Sequence, residues 1–410
     1  MARFLIMGGG IGGLATAACL RARGFDADVY ERAAELREVG AALGLWPNAT
    51  LVLQHLGVLD ALKKLAHVPA AGALRDVRGK VIMKMQALET AVPTIFAHRA
   101  DLHRVLLSVI PSDGLHLNKT CTSIEREGSR VRAIFADSTC SPWADGLLGA
   151  DGIRSVVRDM TLHDGPPTYR GYVAWRGVAA FDPGEEMVGE TWGRGQRFGF
   201  IPLGQGVHGA GDSGAVAPDA AAGPRVGWWA TANMPESQAD DTCRQPQAAW
   251  KKEVLARFKN WHRPIRDLLE ATPESAFLCS AILDRPPPSA DKPWGDGPVT
   301  LLGDAAHPTT PNLGQGACMA IEDAAVVAHA VASIPEIPTA LRVYEMSRVA
   351  RTAMIVSESL KFGKIGQWEN PLACALRDAL VRVAPEKRMR KQFRELWTYD
   401  AWEAPLIMRG

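Results

Sequence analysis

The chain has 410 residues, with 46 lysines and arginines against 45 aspartates and glutamates, and 47% of its residues are hydrophobic. That length favours two lobes over one domain, and the apolar fraction is typical of a globular protein with a large core. The formal net charge of +1 gives no reason to invoke nucleic acid or an anionic membrane as a partner. No stretch approaches the roughly twenty apolar residues of an integral membrane segment.

Cysteine and histidine usage indicates the compartment and argues against a metal site. The seven cysteines are scattered without a C-x-x-C pair, which predicts reduced thiols in a cytoplasmic protein. The histidines form no H-x-x-x-H pair and no cluster with cysteine, so we expect no bound metal.

The N-terminus predicts a dinucleotide-binding unit. Residues 3–7 form a short apolar strand, residues 8–13 spell G-x-G-x-x-G, and residues 14–23 suit a helix. A second strand over residues 26–30 ends at Glu31. The glycines permit a tight turn against a pyrophosphate, and the acid lies at the right distance to bond a ribose hydroxyl.

A second G-x-G-x-x-G match, at Gly209, Gly211 and Gly214, lacks this context. It lies within residues 204–223, a run of Gly, Ala, Ser and Asp that contains Pro218, and no strand precedes it. We interpret it as a chance match within a loop. Two alternatives stay open for this long loop: a lid, or a surface excursion without function.

The following segments alternate between helix and strand patterns. Trp46-Pro47-Asn48 is a turn into an amphipathic stretch, and a further helix begins near Arg99. Residues 131–135 and 146–150 suit strands, and Asp151-Gly152 then turns into a helix.

From residue 169 to residue 231 the chain becomes aromatic and β-rich, with Gly and Pro between the segments. This pattern predicts an antiparallel sheet that forms a second lobe. The tail from residue 340 suits helices, and we interpret its basic run at residues 386–391 as a solvated helix face. The predicted division is residues 1–165, 166–290, 291–335 and 336–410.

Residues 299–323 predict a second ligand-facing element. The apolar run 299–302 suits a buried strand that ends at Gly303-Asp304, and a loop with Pro308 and Pro311 follows. Gly314-Gln315-Gly316 then opens an alanine-rich helix. Its free N–H groups and positive dipole end favour negative charge across the loop.

Together these motifs resemble the single-component FAD-dependent aromatic monooxygenases related to hydroxybenzoate and salicylate hydroxylases. The nearest branch is that of urate hydroxylase and zeaxanthin epoxidase. Five elements occur in the family order: the glycine turn with Glu31-Arg32, Trp46-Pro47-Asn48, Arg99, residues 149–155 and residues 303–323. The resemblance implies an α/β fold, with a Rossmann-type FAD-binding domain, an antiparallel β-sheet substrate lobe and a helical C-terminal segment.

The resemblance also implies the residues that hold FAD. The glycine turn would surround the pyrophosphate, Glu31 the adenosine ribose and Asp304 the ribityl chain. Arg99 has the alternative of a plain helix-start arginine, and Asp304 that of a turn residue. The full implied set is Gly8, Gly10, Ile11, Gly12, Gly13, Glu31, Arg32, Arg99, Cys121, Asp151, Asp304, Gly314, Gln315, Gly316 and Ala317.

The implied reaction uses NADH or NADPH and dioxygen, and it inserts one oxygen into an electron-rich aromatic or olefinic small molecule by hydroxylation or epoxidation. A peroxide at the flavin C4a carbon would carry the oxygen. Pro308 would wall the flavin, and His307 is a candidate acid or base for which we favour a packing or hydrogen-bonding role. The alternative is a flavin-dependent dehydrogenase or reductase of the same fold. A monomer or a homodimer would serve either.

Candidate substrate contacts follow from the expected position of the β-rich lobe. Arg197 could bind a carboxylate or phenolate, or be a salt-bridged arginine. A urate hydroxylase would carry an aspartate at Asn312 and a tyrosine near Gly227, so urate is disfavoured. The candidate set is Arg197, Asn312, Tyr172, Trp175 and Trp228, with Arg176 and Thr231 as further candidates.

Overall fold

The computed structural model describes residues 1–36, 41–182, 184, 188–204 and 224–408. Both interpretations of the loop at residues 204–223, and the second glycine match within it, lie outside the described residues except at Gly204.

Sixteen strands occur within the described ranges. They are β1 (Arg3–Met7), β2 (Asp26–Tyr30), β3 (Ala42–Leu45), β4 (Ala71–Asp76), β5 (Val81–Gln86), β6 (Ile95–His98), β7 (Leu115–His116), β8 (Cys121–Glu127), β9 (Arg130–Phe135), β10 (Gly146–Gly149), β11 (Thr168–Ala180), β12 (Gly189–Trp192), β13 (Gln196–Pro202), β14 (Arg225–Asn233), β15 (Leu278–Asp284) and β16 (Val299–Leu301).

Twelve α-helices occur in the same part of the chain. They are α1 (Ile11–Ala22), α2 (Pro47–His55), α3 (Leu59–Lys63), α4 (Arg99–Leu107), α5 (Val156–Leu162), α6 (Glu236–Arg244), α7 (Gln247–Arg257), α8 (Ile265–Ala271), α9 (Gly316–Ser333), α10 (Ile337–Gly366), α11 (Pro371–Val383) and α12 (Glu386–Trp397).

A parallel five-stranded sheet forms the first lobe, in the order β16-β10-β1-β2-β7. Its neighbouring strands pair in parallel throughout. Carboxyl ends of parallel strands meet at one edge of a sheet. The glycine turn after β1, Asp151 after β10 and Asp304 after β16 therefore converge, and the predicted α/β fold is confirmed.

The second lobe is a seven-stranded sheet in the order β15-β11-β14-β13-β12-β4-β5. Its strands pair antiparallel except for β12 with β4. The β4–β5 hairpin lies within the segment that the sequence assigned to the FAD-binding domain. The lobe is thus discontinuous in the chain. The sequence did not predict this, because two short strands separated by a turn do not show which sheet they will join.

The two faces of this sheet have different partners. Side chains alternate along a strand, and Trp175, Phe198 and Trp228 point together into a core shared with α6, α7 and α8. The opposite face carries Tyr172 and Arg197, which contact each other. Only this second face is turned towards the loop after β16.

Within the part of the chain that the structure describes, one helix, α9, has the length and apolar character of a possible membrane span, but 72% of it is buried inside the protein. It packs against α1, α2 and α10. We assign it as the central core helix of the first lobe.

The substitution Phe198→Ala should lower the free energy of unfolding in urea by about 3–5 kcal/mol, because it leaves a cavity in the helix-covered core. Phe198 is fully buried and stacks on Trp228 at 5.7 Å. The exposed Val68 supplies the control Val68→Ala, for which we expect a change within about 0.5 kcal/mol. Equal effects of the two changes would contradict the assigned core.

Candidate active site

Three glycines of the N-terminal turn differ in what surrounds them. Gly8 has a φ of +111°, and a Cβ there would lie 2.5 Å from the Ala150 carbonyl oxygen. A Cβ at Gly13 would lie 2.0 Å from the Gly8 carbonyl oxygen, whereas one at Gly10 would meet no atom of the described residues within 4 Å. Gly8 and Gly13 are thus required by the protein's own packing, while Gly10 leaves open space for a ligand.

Glu31 supports the glycine turn directly. Its carboxylate accepts hydrogen bonds from the backbone N–H of Gly9 at 2.7 Å and of Ala33 at 2.9 Å. His103 Nε2 donates to the Gly9 carbonyl oxygen at 2.7 Å, and burial lowers the pKa of its imidazole. Glu31, which the sequence predicts to bind the ribose, therefore also stabilises the glycine turn.

A cavity of about 450 Å³ lies beside this turn. Gly9, Gly10, Glu31 and Arg99 line it. Arg99 is exposed at the start of α4, and Arg32 is exposed directly after Glu31. Both arginines thus have solvent-accessible side chains at the nucleotide end that the sequence predicted.

Asp151 and Cys121 are neighbours, but their polar groups are engaged within the protein. The Asp151 carboxylate accepts from Ser155 Oγ at 2.5 Å and from Val156 N–H at 2.8 Å, so it caps α5. Burial, and next the Asp151 charge, raise the pKa of the Cys121 thiol to about 11. Any contact of Cys121 with the cofactor would use its backbone, as the resemblance implies.

The second ligand-facing element begins with Asp304. Its side chain is solvent-accessible, but the protein atoms packed around it desolvate the carboxyl and raise its pKa, opposed by His307 and Arg99. Among the described residues, no side chain or backbone group hydrogen-bonds to that carboxylate. The carboxylate can therefore accept hydrogen bonds from the hydroxyl groups of a ligand.

Gln315 starts α9 with an unused donor. Its Oε1 accepts from Asn48 Nδ2 at 3.0 Å, while its buried Nε2 has no partner among the described atoms. Gly314 is in the left-handed region at φ +62°, and Gly316 has no neighbour within 3.8 Å of a built Cβ. The Trp46-Pro47-Asn48 motif is explained here, since Asn48 anchors the start of α9.

A buried network of charges lies directly behind this element. Asp323 on α9 accepts from the backbone N–H of Gly303 at 2.8 Å, from His307 Nε2 at 2.6 Å and from Arg348 Nε at 2.6 Å. Burial alone would raise the pKa of the Asp323 carboxyl, but His307 and Arg348 outweigh it and lower the pKa to about 2. Glu322 bridges Arg348 and Arg351.

His307 belongs to that network. It is buried, with Nε2 bonded to Asp323 and Nδ1 facing no described polar partner. An acid or base must reach the substrate, so we withdraw His307 as a catalytic candidate and assign it to positioning of the loop. Pro308, the next residue, is also buried, which is compatible with its predicted role as a wall.

The substrate face centres on Arg197, which is almost fully buried. Its Nη2 donates to Asn312 Oδ1 at 2.5 Å, its Nε to Gln367 Oε1 at 3.1 Å, and its Nη1 lies 3.4 Å from Glu190 Oε1. Tyr172 Oη donates to the same Asn312 Oδ1 at 3.3 Å. Arg197, Asn312 and Tyr172 therefore meet, as the sequence predicted.

Trp175 and Trp228 do not join this face. Both are fully buried on the helix-covered face, and Trp228 Nε1 donates to Thr272 Oγ1 at 2.9 Å. Strand alternation places them opposite Arg197. We withdraw both tryptophans as substrate contacts.

Sequence reasoning missed Glu190, Gln367 and two glycines of α10 that make room for Asn312 and Arg197. A Cβ at Gly363 would lie 2.2 Å from Asn312 Nδ2, and one at Gly366 would lie 2.9 Å from Arg197 Cδ. Two glycines three residues apart on one helix face are a readable signal of close approach. Gln367 follows at once and accepts from Thr231 Oγ1 at 3.2 Å.

Arg176 differs from the other arginine of this face. Its Nη1 donates to Ser280 Oγ at 2.7 Å, and no described carboxylate pairs with it. Burial lowers the pKa of its guanidinium, although an arginine stays charged at neutral pH. This charge is available to a bound molecule.

These features define a two-lobed oxidoreductase that holds a dinucleotide between a parallel sheet and α9. The open Gly10, the cavity beside it, the unbonded Asp304 carboxylate and the unpartnered Gln315 amide all fit FAD.

Comparison with known proteins identifies the class further. Residues 1–178 and 289–359 match the family model described as FAD binding domain. Aurachin C monooxygenase/isomerase of Stigmatella aurantiaca is 38% identical over 391 residues, which cover 94% of this chain and 95% of that protein. The 2-heptyl-3-hydroxy-4(1H)-quinolone synthase of Pseudomonas aeruginosa is 30% identical, covering 96% and 97%.

A solved structure agrees with the fold. Klebsiella pneumoniae HpxO complexed with FAD and uric acid superposes with a TM-score of 0.82 at 26% identity, covering 96% of each chain. The chain belongs to the family of FAD-dependent aromatic monooxygenases. FAD is therefore its cofactor, and the monooxygenase prediction is supported over the dehydrogenase alternative.

The pair Gly10→Ala and Gly13→Ala should separate ligand space from packing. Gly10→Ala should leave the melting temperature of the FAD-free protein unchanged and weaken FAD at least about tenfold, because the new methyl group occupies the ligand cradle. Gly13→Ala should lower the melting temperature, because its methyl group meets backbone. Fluorescence titration with FAD and thermal unfolding measure the two effects, and tight FAD binding by Gly10→Ala would contradict this assignment.

The substitution Asp323→Asn should cost about 3 kcal/mol of unfolding free energy at pH 7, because it breaks a buried ion pair. The native pKa of about 2 lies below the ordinary value of about 3.9. The Asp323 charge therefore stabilises fully above about pH 4, and this contribution is lost as the pH falls through 2.

Urea unfolding from pH 8 to pH 2 measures this effect. The difference in unfolding free energy between wild type and Asp323→Asn should narrow only below about pH 4. Asp137, an exposed carboxylate paired with Lys119, supplies the control Asp137→Asn, which should stay near wild type. A gap that persists unchanged to pH 2 would exclude the ionised Asp323 as its source.

Proposed function

We propose that this chain is a cytoplasmic monooxygenase that takes electrons from NADH or NADPH and oxygenates a heteroaromatic ring bearing an oxo or hydroxy group but no carboxylate. The cytoplasmic location rests on the unpatterned cysteines. The reductant rests on the family resemblance. The substrate class rests on the electrostatics of the substrate face.

The observation that carries the substrate class is the state of Arg197. Its positive charge is already compensated by Glu190 at 3.4 Å, and two of its N–H groups donate to the neutral amide oxygens of Asn312 and Gln367. A substrate carboxylate at this position would have to displace Glu190 or be buried beside it, and both are costly. The pocket therefore favours a ring that is uncharged at this end.

Arg176 supplies the complementary polar contact. Its guanidinium faces the same side of β11 as Tyr172 and keeps donors beyond the one that it gives to Ser280. A ring oxo or hydroxy oxygen is a suitable acceptor for such a donor. The relative named 2-heptyl-3-hydroxy-4(1H)-quinolone synthase is named for a product that contains a ring of this kind.

When bound, FAD supplies the redox and oxygen chemistry. The residues of this chain bind and orient. Asp304 and the start of α9 would hold the cofactor, Pro308 and the loop to Pro311 would exclude water, and Tyr172 Oη donates a hydrogen bond to Asn312 Oδ1. Burial raises the pKa of the Tyr172 phenol, so it remains a neutral donor at pH 7.

The direct test is an assay of NADH and NADPH oxidation by the FAD-loaded protein with ring compounds that differ in charge. A 2-alkyl-4-quinolone should accelerate the oxidation and yield a product heavier by one oxygen atom in mass spectrometry, whereas 4-hydroxybenzoate should do neither. Turnover of 4-hydroxybenzoate alone would overturn the substrate class, and oxidation of either ring without oxygen gain would overturn monooxygenation.

The substitution Glu190→Gln should tighten 4-hydroxybenzoate binding about tenfold, a change of about 1.4 kcal/mol, because it frees the charge of Arg197. The dissociation constant is measured from ligand-induced changes in the flavin spectrum. Glu369→Gln is the matched control, since Glu369 bonds Asn233 rather than Arg197. Equal effects of both changes would show that general charge, not the Arg197 pair, governs selection.

A further inference from the structure

The outward face of α11 is apolar. Leu372, Leu376, Leu380 and Val383 are 82%, 58%, 58% and 76% exposed. Their spacing of four, four and three residues places them on one face of the helix. Ala375 and Ala379 lie between them and are also exposed, so the stripe is continuous. Contiguous apolar surface of this kind marks an interaction site.

The inner face of α11 shows that this orientation is built into the fold. The Cys374 thiol donates to the Trp368 carbonyl oxygen at 3.2 Å, and Arg377 lies over the Trp192 ring at 4.8 Å. Asn370 caps the helix N-terminus through Leu372 N–H at 2.9 Å. The polar anchors point inward, so the leucines cannot turn into the core without breaking them.

The sequence of α11 and α12 is strongly basic. Residues 371–397 carry seven lysines and arginines against three acids, a formal charge of +4, although the whole chain carries only +1. Lys387 and Lys391 on α12 and Lys364 at the end of α10 are exposed. The averaged net charge therefore concealed a local excess in α11 and α12.

The size of the stripe argues against a second copy of the chain as its occupant. Thirteen residues of helix are about 20 Å long and about 10 Å wide. Two such faces bury far less than the about 1,200 Å² of a stable protein interface. An apolar face beside clustered lysines and arginines instead suits the boundary between anionic headgroups and acyl chains.

We propose that the outward face of α11 docks on an anionic lipid bilayer, with the leucines inserted and the basic residues of α12 on the headgroups. Trp368 lies three residues before the first residue of α11 and is 39% exposed, a position that suits the headgroup level.

The docking surface adjoins an opening of the protein. A cavity of about 640 Å³ is lined by Lys364, Gln367, Trp368 and Glu369, which end α10 and lead into α11. Gln367 also bonds Arg197 on the substrate face. Docking through α11 therefore brings this cavity mouth next to the lipid, where an apolar substrate is concentrated.

Co-sedimentation of the full-length, FAD-loaded protein with sucrose-loaded vesicles tests the proposal. Wild type should pellet with phosphatidylglycerol–phosphatidylcholine vesicles at low salt, and less with phosphatidylcholine alone. The double change Leu376→Gln and Leu380→Gln should lower the partition coefficient at least about tenfold. Lys387→Gln with Lys391→Gln should lower it about tenfold on anionic vesicles and weaken its salt dependence.

The matched control is Val68→Gln with Met354→Gln, two exposed apolar residues outside α11, which should bind as wild type does. FAD content and melting temperature should be equal in all variants. Wild-type protein that stays in the supernatant, or α11 variants that bind like wild type, would overturn the proposal. So would a solution dimer that the α11 variants dissociate, because a second copy would then occupy the face.

Discussion

The site depends on the buried ion pairs made by two consecutive residues of α9. Glu322 and Asp323 are fully buried with Arg348, and burying such ions costs several kcal/mol each unless every charge is matched. Asp323 satisfies this condition by binding Arg348, His307 and the Gly303 N–H at once, and Glu322 does so through Asn48 and Arg351. A requirement of electrostatics thereby fixes the loop after β16, the start of α2 and the start of α9 relative to one another.

The same constraint reaches the substrate face through α10. This helix of 30 residues carries Arg348 in its first half, and Gln367 follows its last residue. The two are separated by nineteen residues, about 28 Å along a helix axis. Arg348 is held by Asp323 near the flavin site, while Gln367 bonds Arg197 on the other lobe. We expect a helix held at these two points to set the distance between the candidate cofactor and substrate faces, which matters because oxygen transfer depends on placement.

The sequence predicted what local pattern determines. The strand, glycine turn and helix at the N-terminus and the loop that opens α9 are each continuous in the chain, so spacing and composition identify them. Trp175 and Trp228 were misassigned because alternation divides a strand into two faces without showing which face meets the cofactor. Glu190 and Gln367 were missed because their partner Arg197 is reached only by strand pairing or across 170 residues. The position of the β4–β5 hairpin in the second lobe was not predicted for the same reason, because β4 pairs with β12, which is distant in the chain.

The net charge of a sequence does not show how charge is distributed in the folded protein. Near-equal totals of acids and bases conceal both the compensated Arg197 and the positive tail, although the two have opposite consequences. Compensation makes one end of the pocket suitable for an uncharged ring, and uncharged rings with apolar substituents partition into lipid. The positive tail and the leucines of α11 favour docking on a lipid bilayer, where such molecules accumulate. The cavity beside Trp368 is also lined by Gln367. The Arg197–Glu190 pair and the apolar, basic tail are distant in the sequence. Both proposals drawn from them imply the same physical property of the substrate, its low charge.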